Sequence, residues 1–177
     1  DLIITRKILT FNIIMNNQKT LIITGGSKGI GKSIIQKFLC ENYRVINISR
    51  SSCSLDNVLN ISADLAEDYV EEKIAKTIVP LLSPKELICL VHCAAHYEWL
   101  DIVGQQKRAS LQKSLTIGIL FPSLLNNIII PHMDAGSSII YMGSTLSEKA
   151  VKNTASYSTC KHAIAGLMKA TCQDLSD

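Results

Sequence analysis

Tyr157 and Lys161 stand four residues apart in the string Tyr-Ser-Thr-Cys-Lys. On a helix this spacing stacks both side chains on one face, one turn apart. An ammonium beside a phenol favours its ionised form, and a phenol so tuned exchanges protons near neutral pH as a general acid or base. The pair alone is common on amphipathic helix surfaces. A hydroxyl, Ser144, closes the largely apolar run Ile139-Ile140-Tyr141-Met142-Gly143, ahead of Tyr157.

A second group of residues suits phosphate. Thr24-Gly25-Gly26-Ser27-Lys28-Gly29-Ile30-Gly31 follows a short apolar run and precedes apolar residues at helical spacing, Ile30, Ile34, Ile35, Phe38 and Leu39. Glycines let a backbone approach a pyrophosphate closely, and the helix start behind them offers free N–H groups and a partial positive charge. In dinucleotide-binding folds an acidic residue about 20 positions past the glycines takes the ribose 2′-hydroxyl. Here the second run ends Asn47-Ile48-Ser49-Arg50-Ser51-Ser52, without an acid. Arg50 would pair with a 2′-phosphate, and Lys28 adds a second positive charge, so the pattern favours NADP over NAD.

These side chains need elements to hold them. Apolar runs at 20–24, 44–49, 58–62, 87–94 and 138–142 read as buried strands. Helical spacing covers 30–39, 66–79 (stopped by Pro80) and 110–130 (stopped by Pro131, with a kink or break at Pro122), and a last helix runs from about Ser156 to the end. Strands alternating with helices predict an α/β fold, a doubly wound parallel sheet covered on both faces.

Turn, serine and Tyr-x-x-x-Lys, in that order, resemble the short-chain dehydrogenase/reductase (SDR) family, with the likeness running from about Lys19 to the end. The resemblance implies a Rossmann-like, three-layer α/β/α architecture. It implies hydride transfer between NADP(H) and a carbonyl or alcohol substrate. Tyr157 would be the acid/base, Lys161 would bind the nicotinamide ribose and tune Tyr157, and Ser144 would orient the substrate. The implied cofactor-binding residues are Gly25, Ser27, Lys28, Gly29, Ile30, Gly31, Arg50, the adenine-side pair Asp64 and Leu65, Cys93, Ala94 and Ala95, together with Tyr157 and Lys161. The helices around 110–130 and 156–175 imply a homodimer or homotetramer when the fold is complete.

Three features depart from the family pattern. Where the family has Asn-Asn-Ala-Gly after its fourth strand, this chain has His92-Cys93-Ala94-Ala95. His92 can replace some of the lost side-chain hydrogen bonds; Cys93 is a poor substitute. Gly118 falls where the family places an asparagine that completes a proton relay, which leaves a triad, not a tetrad; Asn126 and Asn127 are poor replacements. The chain also stops at Asp177, short of where family members end, so the last strands are expected to be missing and the chain to be a fragment of a longer reading frame. These departures favour an alternative, a nucleotide-binding protein of the same fold with weak or no turnover, acting as a sensor or partner subunit.

Composition narrows the rest. With 177 residues, 47% of them apolar, the chain suits one domain, expected at 15–177. Met15 reads as the natural start and 1–14 as an extension too short to span a bilayer. The net charge of +3 is spread out, so no nucleic-acid partner is expected, nor a membrane one. Six cysteines without a CxxC pair predict reduced, mostly buried thiols and a cytoplasmic setting. The histidines lack metal-ligand spacing, so no metal is expected. Residues His96 to Trp99 read as a loop, with a substrate-pocket wall as the alternative.

Overall fold

The computed structural model describes residues 19–84 and 86–176; the expected N-terminal extension and the start at Met15 lie outside them. The strands are β1 (Lys19–Thr24), β2 (Arg44–Ser49), β3 (Val58–Ser62), β4 (Leu87–His92) and β5 (Ser138–Tyr141). They form one sheet in the order β3-β2-β1-β4-β5, every pairing parallel. The helices are α1 (Gly29–Cys40), α2 (Val70–Ile78), α3 (Arg108–Leu115), α4 (Phe121–Ile129) and α5 (Ala155–Asp174).

The central strands are apolar without interruption because both sheet faces are covered. Ile22, Ile46, Ile48, Ile88 and Leu90 pack with α2 and α4, while Leu21, Ile23, Val45, Cys89 and Val91 pack with Ile35 of α1. Residues 108–132 are long and apolar enough, by length and composition, to cross a membrane. Here Ile117, Phe121, Leu125 and Ile129, four residues apart, bury one face of that helix in the core.

The expected helix at 66–79 begins later, at Val70. Asp64 turns the chain first, its carboxylate accepting from the Ala66 N–H at 3.1 Å, and Tyr69 then takes a left-handed φ of 57°. The α-helix ends at Ile78, within a residue of the predicted stop, and Pro80 sits in the short 3-10 turn that follows, Val79–Leu81.

The break expected at Pro122 takes the form of a π-helical segment, Thr116–Leu120, between α3 and α4. Proline has no N–H to offer the carbonyl of Gly118, four residues back, so the α-helical ladder must lapse there.

Charge is buried at the N-terminal ends of the strands. Glu86 is held by Arg44 at 2.8 Å, by the Ser83 N–H at 3.0 Å and by the Thr20 hydroxyl, while Arg44 also donates to the Leu81 carbonyl at 2.7 Å. Each buried charge thus has a partner, as burial requires. Cys53, Cys89 and Cys160 are buried, but Cys40 and Cys172 are exposed, correcting the expectation of mostly buried thiols; both lie on outward helix faces.

Candidate active site

Gly25 takes a φ of +74°, and a side chain there would fall 2.8 Å from the Cα of Ala94. The turn therefore presses against the end of β4 as only glycine allows. Gly31 is equally constrained, since a Cβ would lie 2.4 Å from the Gly25 carbonyl oxygen. Beneath the turn sits Asn47, fully buried in β2. Its Oδ1 accepts from the Gly26 N–H at 2.9 Å, and its Nδ2 donates to Ser49 Oγ at 2.9 Å and Asn60 Oδ1 at 2.8 Å. Sequence reading passed over Asn47. A polar residue inside an otherwise apolar strand was the available signal.

The start of α1 has no side-chain cap and no acidic residue in its first turn. Its N–H groups are left to an outside acceptor, which suits an anion.

The glycine turn opens on a cleft of about 810 Å³. The lining includes Gly25, Ser27, Lys28, Gly29, Ile30, Gly31, Arg50, Asp64, Leu65, Cys93, Ala94, Ala95, Tyr157 and Lys161. Every residue the sequence nominated for the cofactor thus borders the same space. Lys28 and Arg50 are exposed at its edge.

Tyr157 and Lys161 lie one turn apart on α5, with the Lys161 ammonium 5.5 Å from the centre of the Tyr157 ring. Lys161 is buried and donates to the Met142 carbonyl at 2.6 Å. Burial lowers its pKa from the usual lysine value, partly offset by the Cys93 and Cys160 thiols. Ser144 is the N-cap of a short turn, Thr145–Ser147, and its Oγ accepts from the Leu146 N–H at 3.1 Å. Gly143 beside it lines the cleft; Ser144 is not among the lining residues.

Asp101 was also missed by sequence reading. Buried in the loop after β4, its carboxylate accepts from the Ser156 N–H at 2.5 Å, and its backbone pairs with Asn153 and Ala155. A negative charge at the start of α5 favours the helix dipole and sets the helix that carries Tyr157 and Lys161. Its partner is 55 positions away, so no local pattern marks it.

The 96–99 loop joins the site through Tyr97, whose ring meets that of Tyr157 edge-on at 5.3 Å. Ala95, Tyr97, Leu146, Val151, Thr154 and Tyr157 line an open, largely apolar depression of about 370 Å³. Trp99 is exposed, and His96 lies 3.7 Å from Glu98.

His92 ends β4 and is buried; Nε2 faces Asn126 Oδ1 at 2.8 Å. Burial lowers its pKa to about 4, which keeps the ring neutral at ordinary pH. Asn126 is therefore drawn into the site's surroundings, but as a partner of His92 and not in the place of Gly118. At Gly118 an added Cβ would sit 3.3 Å from Cys160 Cβ, a tight fit.

The chain is similar to known proteins in sequence and fold. L-fucose dehydrogenase of Mus musculus is 22% identical over 89% of this chain and 60% of its own length. A short chain dehydrogenase family protein of Francisella tularensis superposes with a TM-score of 0.78 at 27% identity, covering 90% of this chain and 64% of that one. A 4-hydroxyisoleucine dehydrogenase complexed with NADH and succinate superposes with a TM-score of 0.78 at 21% identity, over 88% of this chain and 73% of that one, a likeness of fold. The chain thus spans less than two thirds of the mouse relative's length. The family model described as short chain dehydrogenase matches residues 19–177, and the chain belongs to that family.

Proposed function

We propose that this chain forms the nucleotide-binding and catalytic core of an oxidoreductase acting on a carbonyl or alcohol substrate, with NADP(H) preferred to NAD(H). The observation that carries this reading is the shared cleft, whose wall joins the glycine turn, Lys28 and Arg50 to Tyr157 and Lys161. The cleft fits a dinucleotide: the α1 start is uncapped, and glycine's missing side chains bring Gly25 against Ala94. Bound there, the nicotinamide supplies the hydride donor or acceptor.

The protein supplies charge and position. The α1 N–H groups hold phosphate, and Arg50 with Lys28 favours a 2′-phosphate over a bare hydroxyl. Lys161, anchored on Met142, keeps N–H groups for a ribose hydroxyl and sets positive charge beside Tyr157. Tyr157 exchanges a proton with the substrate oxygen. The Ser144 hydroxyl accepts from Leu146, which leaves its own hydrogen to donate to that oxygen. Tyr97, Leu146 and Val151 favour an apolar substrate body beside Tyr157.

The test is NADPH oxidation by the complete natural polypeptide against a panel of carbonyl compounds. Tyr157→Phe should lower turnover by at least about 100-fold while NADPH affinity stays within about twofold. Full activity in that variant removes Tyr157 from the mechanism. Tight NADPH binding with no turnover of any panel member by the unaltered protein supports the nucleotide-binding alternative.

A further inference from the structure

A line of hydrogen bonds crosses from α5 to the end of β4, and its direction can be worked out by counting hydrogens. The Thr171 hydroxyl sits 2.9 Å from the Leu167 carbonyl, which can only accept, so Thr171 spends its hydrogen there. Tyr141, 2.9 Å from Thr171 Oγ1, must then donate to it. The Tyr141 oxygen accepts from Asn126 Nδ2 at 2.6 Å, which turns Asn126 Oδ1 toward His92. An amide oxygen only accepts, so the His92 hydrogen is on Nε2 and Nδ1 presents a bare lone pair.

Nδ1 is the buried side-chain nitrogen or oxygen without a partner among the described residues. His92 also lines a small pocket of about 20 Å³ together with Lys161, Ser114, Gly118 and Cys160. About 10–15 Å³ of such space is enough for one water, which needs two or more polar partners. His92 Nδ1 offers an acceptor, and Lys161, with one hydrogen on Met142, has hydrogens left to give.

We propose that one buried water occupies this pocket, donating to His92 Nδ1 and accepting from the Lys161 ammonium. His92 thereby acts as a positioning residue for Lys161. The catalytic part of this inference rests on the reading of Tyr157 and Lys161 as the acid–base pair; the water site does not. The line from Thr171 through Tyr141 and Asn126 holds the imidazole in the tautomer that the water requires.

The test is NMR on the complete natural polypeptide labelled with 15N-histidine. Long-range ring correlations should show His92 protonated on Nε2 alone, and a water cross-peak should reach its ring C–H. The same cross-peak should persist in Tyr157→Phe. A proton on Nδ1, or no water at the His92 ring, overturns the proposal, and neither reading requires a variant to fold or turnover to occur. In parallel, His92→Phe should lower kcat by on the order of tenfold, the loss of one charge-assisted hydrogen bond, with the nucleotide KM unchanged. An unchanged kcat in His92→Phe overturns the positioning role. An inactive parent enzyme counts against the proposed function and leaves the water site to the NMR result.

Discussion

Lowering the pH from about 7 to about 5 should cost the fold about 2 kcal/mol through His92 alone. In the unfolded chain this ring titrates at its ordinary 6.5; in the folded chain burial holds it near 4, with the Asn126 hydrogen bond opposing only in part. Because the folded value is depressed, the unfolded chain binds the extra proton between these two values. Stability therefore falls as pH drops through that window and is unaffected by this group above it. No carboxylate lines the small pocket that His92 shares with Lys161 and His96, so nothing there rescues a cationic ring. In thermal terms about 2 kcal/mol is roughly 4–8 °C in Tm for a chain of this size. The assay is urea unfolding across the pH series, comparing the unaltered protein with His92→Gln, which keeps an amide donor for Asn126 and does not titrate. Carboxylates elsewhere contribute to both proteins and cancel in the difference. The unaltered protein should lose about 2 kcal/mol more than the variant between the two pH values. A difference that stays flat refutes the claim that His92 is buried as a neutral ring.

Two further outcomes test the cleft. Arg50→Asp should weaken NADPH binding by about 10- to 100-fold, the worth of a charge-assisted hydrogen bond, and leave NADH binding level or improved; fluorescence titration with both nucleotides decides it, and equal losses would remove Arg50 from 2′-phosphate recognition. Gly31→Ala places a Cβ 2.4 Å from the Gly25 carbonyl oxygen and 3.0 Å from the Gly26 Cα, both backbone atoms without a rotamer to escape into. It should cost about 1–3 kcal/mol in denaturant unfolding and distort the phosphate turn; native stability together with native NADPH affinity would contradict the packing described.

Much of this architecture was legible because its signals are local. The central strands are buried on both faces, so they read as unbroken apolar runs, and glycines at 25 and 31 announce backbone contacts no other residue allows. What stayed hidden depends on partners far along the chain. Asp101 caps α5 from 55 positions away, and Asn47 supports a turn 21 positions before it. Pro122 was legible as a break, yet its form as a π segment was not, since that depends on how the Gly118 carbonyl is relieved of its partner. His92 was legible only as a substitution. Its tautomer follows from a carbonyl at Leu167 that can only accept, four hydrogen bonds away. Ser144 kept its place at the end of β5, but its service as the N-cap of the next turn came from the two serines framing that turn, a short-range pattern the strand reading obscured.

The departures at 92 and 118 are best understood together. Gly118, Cys160 and His92 line the same pocket of about 20 Å³. A Cβ at 118 would stand 3.3 Å from Cys160 Cβ, a tight contact that admits a side chain there only if residue 160 gives by a few tenths of an ångström. The π segment sets Gly118 in this place, and Pro122 is what breaks the α ladder. With no side chain at 118, the strand supplies a polar group to the pocket beside Ser114 of α3: the His92 ring, stacked on Tyr141 at 5.0 Å and oriented through Asn126. Loss of the helix amide therefore does not by itself strip Lys161 of a polar neighbour. It leaves that neighbour to His92 of β4 together with Ser114 of α3. The imidazole brings a constraint the amide does not have, because it serves as an acceptor only while neutral, and burial is what keeps it so.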